Sequence, residues 1–253
     1  MAARLAARIA LPYVFERGQD ETTTITLYRG GSPVRPDNVP GTYVLRDEGG
    51  AEVASGAVSV GVDSVVSATV GGASPATRDY SDRWTFEWLL QVEGKLERVR
   101  NDAMLVRRKL YNVVTQEDLK RRHPQIVSEN LPIESGDFSG PIDEAFEQFQ
   151  RDLLGKGNRP NLIVSAWSCR DCVLSKALAI IYRDAITNAA GDTDRYEKLA
   201  DFYAQEYHKR FPTLTYKVDE SEDGTVAEQR PNVQPVVFLS GTPRSSGRGL
   251  SGD

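Results

Sequence analysis

Apolar and polar residues alternate along much of the first hundred residues, a pattern typical of half-buried β-strands. Ile25 and Leu27 lie between threonines and a tyrosine, and a second short run begins at Thr42. Two stretches rich in β-branched residues follow within residues 57–70, interrupted around Gly61. Turn residues separate these runs at short intervals, without a helical period between them. The pattern therefore predicts a small, mostly β domain.

The clearest predicted strand covers residues 84–92, because its apolar and polar positions fall on opposite faces. The apolar face holds Trp84, Phe86, Trp88, Leu90 and Val92, and the polar face holds Thr85, Glu87 and Gln91. Glu93 and Gly94 then offer a tight turn into the next strand. Several short strands of this kind predict an antiparallel, β-sandwich-like domain of immunoglobulin-like size over residues 1–104.

From about Leu110 the apolar residues recur with a helical period. Thr115 is a candidate N-cap with Asp118 three residues later, and the short helix that follows stops before Pro124. A second helix is predicted within residues 139–157, with Pro141 in its first turn. Its single apolar stripe consists of Ile142, Ala145, Phe146, Phe149 and Leu153. This stripe predicts that the second helix packs against a neighbour.

Two longer helices complete the predicted helical region, residues 105–218. The third runs from Cys169, with Ser168 as its cap, to about Asn188, and it is apolar nearly all round, which places it at the centre of the domain. The fourth opens at Asp192 or Thr193 and closes before Pro212. Its broad apolar and aromatic face is predicted to consist of Tyr196, Leu199, Phe202, Tyr203 and Tyr207.

The last part of the chain, residues 219–253, has a different composition. Residues 219–230 are strongly acidic and predict a solvated linker, and residues 231–253 are rich in Gly, Ser and Pro, so they predict an extended arm without a core of its own. This arm nevertheless contains four consecutive apolar residues, Val236, Val237, Phe238 and Leu239. Such a tetrad predicts either a docking partner or a return to the parent domain.

The formal net charge of -5 over 253 residues argues against broad binding to nucleic acid, which usually requires a basic face. Two cysteines do not make a disulfide framework, so the composition favours a reducing compartment. No apolar run approaches the length of a membrane span, and the first residues lack the apolar core of a secretory signal. We therefore expect a cytoplasmically made protein that does not enter a membrane.

Cys169 and Cys172 form the chain's C-x-x-C pair and are the strongest candidate for chemistry. An apolar segment and a tryptophan precede them, as in a thioredoxin-like redox site. The surrounding elements are helical, however, and the two histidines, His123 and His208, are not spaced as zinc ligands. The spacing therefore favours two small apolar side chains on the buried stripe of the third helix.

Other catalytic signals are weaker still. Phosphate-binding loops, nucleophile elbows and zinc-protease motifs are missing from the sequence, so we expect no catalytic residues, no cofactor and no metal. Two basic runs, residues 107–109 and 120–122, flank the junction between the domains. Solvated faces are the favoured interpretation of these runs, and contacts with phosphates or an acidic partner are the alternative.

Four helical segments follow one another in a recognisable order. They are LYNVVTQEDLKRRHPQI, GPIDEAFEQFQRDLLGKGNRPNLIV, RDCVLSKALAIIYRD and DRYEKLADFYAQEYHKRF, and the acidic LTYKVDESEDG comes after them. In this order they resemble the head-tail adaptor (connector) proteins of tailed bacteriophages and of related gene-transfer agents. The resemblance covers roughly residues 105–225, and the β-rich region before it looks like the extra domain that some of these adaptors carry.

The resemblance implies a structural virion protein of the neck, at the head-tail interface. Such a protein forms a ring, typically of twelve copies, between the portal and the stopper or tail-completion protein, and DNA crosses the ring without specific binding. It also implies that the C-terminal arm docks on the portal, with Val236, Val237, Phe238 and Leu239 as the portal-binding residues. Two alternatives stay open: a thiol-disulfide oxidoreductase that uses Cys169 and Cys172, and a surface-binding module formed by the β domain, which would require Trp84 and Trp88 to be exposed.

Overall fold

The computed structural model describes residues 5–7, 11–37, 41–127, 136–188, 193–219, 221, 223 and 228–231. Twelve strands lie in these ranges: β1 Leu5–Ala7, β2 Tyr13–Glu16, β3 Glu21–Arg29, β4 Ser32–Val34, β5 Thr42–Arg46, β6 Glu52–Ala57, β7 Ser59–Val60, β8 Val65–Val70, β9 Ser81–Val92, β10 Lys95–Val106, β11 Thr215–Val218 and β12 Glu228–Pro231. Four α-helices follow the first ten strands: α1 Gln116–Arg122, α2 Ser139–Gly155, α3 Ala166–Asn188 and α4 Thr193–Arg210. The fold is therefore α+β, with a mostly β N-terminal part and four helices in the C-terminal part.

The first ten strands form two sheets that share one apolar core. One sheet has the order β1-β3-β8-β7, with β4 paired to β3, and the other has the order β2-β10-β9-β5-β6. Inward side chains of both sheets meet in a single cluster that includes Leu27, Leu45, Val66, Phe86 and Trp88. This cluster is what the alternating pattern of the sequence predicts for a half-buried sheet.

One strand pair departs from the expected antiparallel arrangement. Residues 13–16 of β2 pair in parallel with residues 103–106 of β10. The N-terminal segment changes sheets between β1 and β2, because β1 pairs with β3 of the other sheet. After this change β2 runs in the same direction as β10, so the second sheet is mixed.

The central strand β9 is buried on both faces. Trp84, Phe86 and Trp88 are in the core, as the alternation predicts. On the opposite face Glu87 is also buried, because it accepts hydrogen bonds from Arg46 of β5 and Arg98 of β10. The hydrogen bond from Arg98 is the main reason that the pKa of Glu87 lies below its usual range. Two arginines from neighbouring strands therefore cover a position that the alternation assigns to solvent.

The helices pack around α3, which contacts α1, α2, α4 and β11. The buried positions of α2 are Ile142, Ala145, Phe149 and Leu153, with Phe146 partly buried against the same core. This confirms the predicted stripe of the second helix. The predicted start of α1 is also confirmed, since the Thr115 backbone N–H donates to Asp118 Oδ2 at 3.0 Å.

Two details of the longer helices differ from the sequence prediction. First, α3 begins at Ala166, so Ser168 lies inside the helix and Ser165 precedes it. The Ser165 side chain accepts a hydrogen bond from the Lys217 backbone N–H at 3.0 Å, which ties the start of α3 to a distant part of the chain.

Second, the buried face of α4 consists of Tyr196, Ala200, Tyr203 and Tyr207. Phe202 is 52% exposed and lies edge-on to Tyr203. The expectation that Phe202 belongs to the buried aromatic face is therefore wrong. The three- and four-residue steps of the buried positions leave Phe202 on the outer side of the helix.

The described part of the acidic segment after Val218 includes a buried residue and a strand. Asp219 is buried, and β12 pairs with β11 so that Glu228 lies opposite Val218 and Pro231 opposite Thr215. The prediction of a solvated linker is therefore wrong at Asp219. Composition reports neither the backbone pairing of β12 nor the ion pair that Asp219 makes with Arg107.

The junction between the two parts of the chain is short. Strand β10 ends at Val106, and Leu110 already belongs to the helical core. Between them Arg107 pairs with Asp219 and Lys109 pairs with Glu21. The basic run 107–109 is therefore not simply a solvated face, since two of its three side chains meet carboxylates of the same chain.

Candidate functional site

The predicted portal-binding residues Val236, Val237, Phe238 and Leu239 lie outside the described residues. The structure does describe the segment that leads to them, strand β12, which ends at Pro231. We call residues 232–253 the distal arm and the structure that holds β12 the arm root. The arm root is the candidate functional site, because it is the described structure nearest in sequence to the predicted portal-binding residues.

The arm root is a small ladder of three backbone segments. Strand β11 pairs with β12 on one side and with the segment before α3 on the other, where Ile163 forms an antiparallel bridge with Val218. The Val164 backbone N–H donates to Lys217 O at 2.9 Å, and the Asp219 backbone N–H donates to Leu162 O at 2.9 Å. These bonds attach β11 directly to the segment that starts the central helix.

An ion pair connects the arm root to the end of the β part. Arg107 Nη1 lies 3.2 Å from Asp219 Oδ2. The carboxylate side chain is 9% exposed, whereas that of Arg107 is 48% exposed. A buried carboxylate requires a charged or hydrogen-bonding partner, so Arg107 compensates for the burial of Asp219. The pair joins the first residue after β10 to the first residue after β11.

Next to the ladder, three large side chains are exposed: Tyr111, Val164 and Trp167, which we call the root surface. Trp167 is 67% exposed in the first turn of α3, and Val164 is 48% exposed three residues earlier. Tyr111 and Val164 also line a pocket of about 320 Å³. Aliphatic and basic residues of the junction form other parts of its wall. The sequence pattern does not predict this surface. Its one indication in the sequence is Trp167, a large apolar residue in the first turn of α3.

The cysteines occupy the helical core. Cys169 and Cys172 are each 2% exposed and belong to the same buried cluster as Val173 and Ile180. Burial raises the pKa of the Cys169 thiol to about 12 and that of the Cys172 thiol to about 11. A reactive cysteine needs a lowered pKa and access to solvent, so this environment is that of packed, protonated thiols. The structure thus agrees with the expectation that the pair continues an apolar stripe.

A polar cluster joins three helices beside the cysteines. Tyr207 of α4 donates to Asp152 Oδ2 of α2, and Lys176 Nζ of α3 lies 3.3 Å from the same oxygen and 4.3 Å from the centre of the Tyr207 ring. Burial and the neighbouring carboxylate raise the pKa of Tyr207 above its usual range. The phenol therefore keeps its proton, and the cluster acts as a link between helices.

Neither metal ligands nor membrane spans occur in the part of the chain that the structure describes. Groups of three or more His, Cys, Asp or Glu side chains arranged to hold an ion are missing from the described ranges. Within the same ranges, every helix is too short or too polar to cross a bilayer. Trp84 and Trp88 are buried, so the exposure that a binding surface built on these residues would require is contradicted.

No protein-family model and no curated protein matches this chain. The solved structures that are similar to parts of it include an engineered protein of the Northeast Structural Genomics Consortium, at 16% identity and a TM-score of 0.29, over 42% of this chain and 21% of that one. They also include the catalytic module of the glycogen-degrading pneumococcal virulence factor SpuA bound to an inhibitor, at 14% identity and a TM-score of 0.27, over 60% of this chain and 26% of that one. This chain thus spans about a quarter or less of those chains, and at these TM-scores the likeness does not bear on function.

Proposed function

We propose that this protein is a structural head-tail adaptor that forms a ring between a viral portal and the stopper or tail. In this proposal it is not an enzyme, and its distal arm makes the contact with the portal. The observation that carries the proposal is the arm root, which ties the start of the distal arm to the central helix through backbone hydrogen bonds on both edges of β11. A docking arm needs such an attachment, because binding at its end must move or hold the whole body.

The helical part suits a ring subunit that is held by its neighbours. The long helix α3 is covered by α1, α2, α4 and β11, which makes the body rigid. Residues 232–253 hold the tetrad 236–239 in a segment otherwise rich in Gly, Ser and Pro. A segment of this composition is expected to gain order when a groove or a sheet edge on a partner receives it.

The strand order of the β part supports the proposal that the chain begins with a separate sandwich domain. The two strand orders correspond to the A-B-E-D and A′-G-F-C-C′ sheets of an immunoglobulin-type sandwich, with β1 and β2 as the divided first strand. We therefore assign residues up to Val106 to a sandwich domain carried in front of the adaptor body. The net charge of -5 suits a ring through which DNA passes without being held.

The test is removal of residues 232–253, which leaves both strands of the arm root in place. The shortened protein should fold with unchanged far-UV circular dichroism but should no longer co-purify with the portal protein of the same virus. Negative-stain images of the full chain mixed with the portal should show a second ring stacked on the portal. Undiminished binding of the shortened chain would refute the role of the arm.

A matched control separates the anchor residues from arm length. Phe238→Ser and Leu239→Ser keep all 253 residues but remove the two largest side chains of the tetrad, so they should reduce portal binding nearly as much as the deletion. Removal of residues 243–253 alone keeps the tetrad and should leave binding intact. If the shorter deletion abolishes binding instead, the portal contact lies beyond the tetrad.

A further inference from the structure

The arm root places the start of the distal arm next to an exposed apolar surface. In the β11–β12 ladder Pro231 lies opposite Thr215. On the other edge of β11, Ile163 lies opposite Val218, and continuing this antiparallel register places Ala166 level with Thr215. Pro231 and the first turn of α3 therefore lie at the same end of the ladder. The distal arm therefore begins at the end of the ladder where α3 starts.

The distance from Pro231 to this surface is within the reach of the tetrad. Neighbouring strands are about 4.8 Å apart, so the segment before α3 lies roughly 10 Å from β12 across β11. Residues 232–235 can span at most about 14 Å when extended. Val236 can therefore arrive over Val164 or Trp167 without any change in the ladder. The four-residue spacer between Pro231 and the tetrad is therefore long enough for this contact.

The surface itself is unusual for a solvated helix start. Trp167 and Val164 are 67% and 48% exposed, although both are large apolar side chains. Tyr111 and Val164 line the same pocket, and the Arg108 guanidinium lies over the Tyr111 ring, 5.3 Å from its centre. An exposed apolar patch is typical of a surface that has a partner.

We propose that residues 236–239 of the same chain dock on the root surface, Tyr111, Val164 and Trp167, while the protein is free. The root surface is then a storage site for the portal-binding tetrad, and it covers these four apolar side chains until the portal competes for them. The inference rests on the proposed function only for the identity of the competitor. The docking itself is a property of the isolated chain.

Trp167 provides a direct probe of this docking. The other two tryptophans, Trp84 and Trp88, are buried in the β core and should be insensitive to the distal arm. The signal of Trp167 is obtained by subtracting the fluorescence of the Trp167→Phe variant from that of the parent. In the full chain we expect Trp167 to be shielded from acrylamide. Deletion of residues 232–253 should remove this shielding and shift the Trp167 emission to longer wavelength.

Two point variants test the two sides of the contact. Phe238→Ser on the arm and Val164→Ser on the root surface should each reproduce the loss of shielding. Val164 is 48% exposed, so the fold should tolerate its replacement. Deletion of residues 243–253, which keeps the tetrad, is the matched control and should leave Trp167 shielded. Unchanged quenching after deletion of 232–253, or after Phe238→Ser, would overturn the inference.

The same measurement separates the chain's own arm from that of another copy. Shielding by the same chain is independent of protein concentration, whereas shielding that is lost on dilution would mean that a second copy supplies the tetrad and would overturn the proposal as stated. The portal is absent from the assay, so a failure of the adaptor proposal would not change its result. A failure of docking would likewise leave portal co-purification as a separate question.

Discussion

Replacing Asp118 should destabilise the helical part more than any exposed charge on α1. Asp118 is buried, its Oδ2 accepts from the Thr115 backbone N–H at 3.0 Å, and both carboxylate oxygens receive hydrogen bonds from Arg170 of α3. One side chain therefore caps α1 and fastens it to the central helix. Asp118→Ala removes both functions and leaves the Arg170 guanidinium with the more distant Asp171 carboxylate, at 3.9 Å.

The expected cost follows from these two contributions. Loss of an N-terminal cap interaction costs about 1 kcal/mol. Loss of one partner from a fully buried ion pair costs about 3–5 kcal/mol, but the Arg170 side chain is 29% exposed, so we expect only about 1–2 kcal/mol from the pair. The total of about 2–3 kcal/mol corresponds to a fall in Tm of roughly 4–12 °C for a protein of this size. Asp118→Asn can still accept from Thr115, so it should cost about half as much.

The assay is urea unfolding followed by circular dichroism at 222 nm, which reports the helices. Glu117→Gln is the matched control, because Glu117 is an exposed neighbour whose pair with Lys120 is on the surface, and it should cost less than about 0.5 kcal/mol. Equal effects of Asp118→Ala and Glu117→Gln would refute the reasoning. So would a full-sized loss in Asp118→Asn, since capping would then contribute nothing.

The same residue predicts a pH dependence. The hydrogen bond from Arg170, followed by that from the Thr115 backbone, holds the pKa of Asp118 below its usual range. A lowered pKa in the folded state means that the stabilisation is present above the unfolded pKa of about 4 and is lost as the pH falls through the folded value. The difference in unfolding free energy between the parent and Asp118→Asn should therefore be constant near neutrality and should shrink below about pH 4.

Two further predictions concern the junction and the cysteines. Arg107→Ala removes the Arg107 cation from the buried Asp219 carboxylate and should cost about 1–3 kcal/mol in urea unfolding. Arg108→Ala should stay within about 0.5 kcal/mol, and a larger effect at Arg108 would contradict the assignment. Burial raises the pKa of Cys169 to about 12 and that of Cys172 to about 11, so at most about one thiol in a thousand is ionised at pH 8. Both cysteines should therefore react with a thiol reagent only after the protein unfolds. Rapid labelling of the native protein would instead favour the oxidoreductase alternative.

Much of the fold follows from patterns that act locally. The alternation in β9 and the apolar stripe of α2 each reflect one buried face, and the structure places these residues in the cores as predicted. The capping residues of α1 are also a local signal, since Asp118 binds a backbone group only three residues away. Periodicity and caps therefore predict elements whose stabilising contacts are near in sequence.

The features that were missed depend on contacts between distant segments. Ser165, which precedes α3, accepts a hydrogen bond from Lys217, and the buried Asp219 pairs with Arg107, over a hundred residues earlier. The parallel pairing of β2 with β10 is of the same kind. Composition identified residues 219–230 as polar but could not report the backbone partner of β12. Trp167 was treated as part of a cysteine motif, and only the structure placed it on an exposed surface.

The β11–β12 hairpin also has a mechanical consequence. The body joins β11 at Thr215 and the distal arm leaves β12 at Pro231, and these two residues are partners at the same end of the ladder. A pull on the arm therefore loads the four residue pairs one after another, as in a zipper, instead of loading them together in shear. Peeling β12 would lengthen the tether by roughly 13 Å. The Arg107–Asp219 pair lies beyond the far end of the ladder, so it would help to keep β11 attached to the body while β12 peels away.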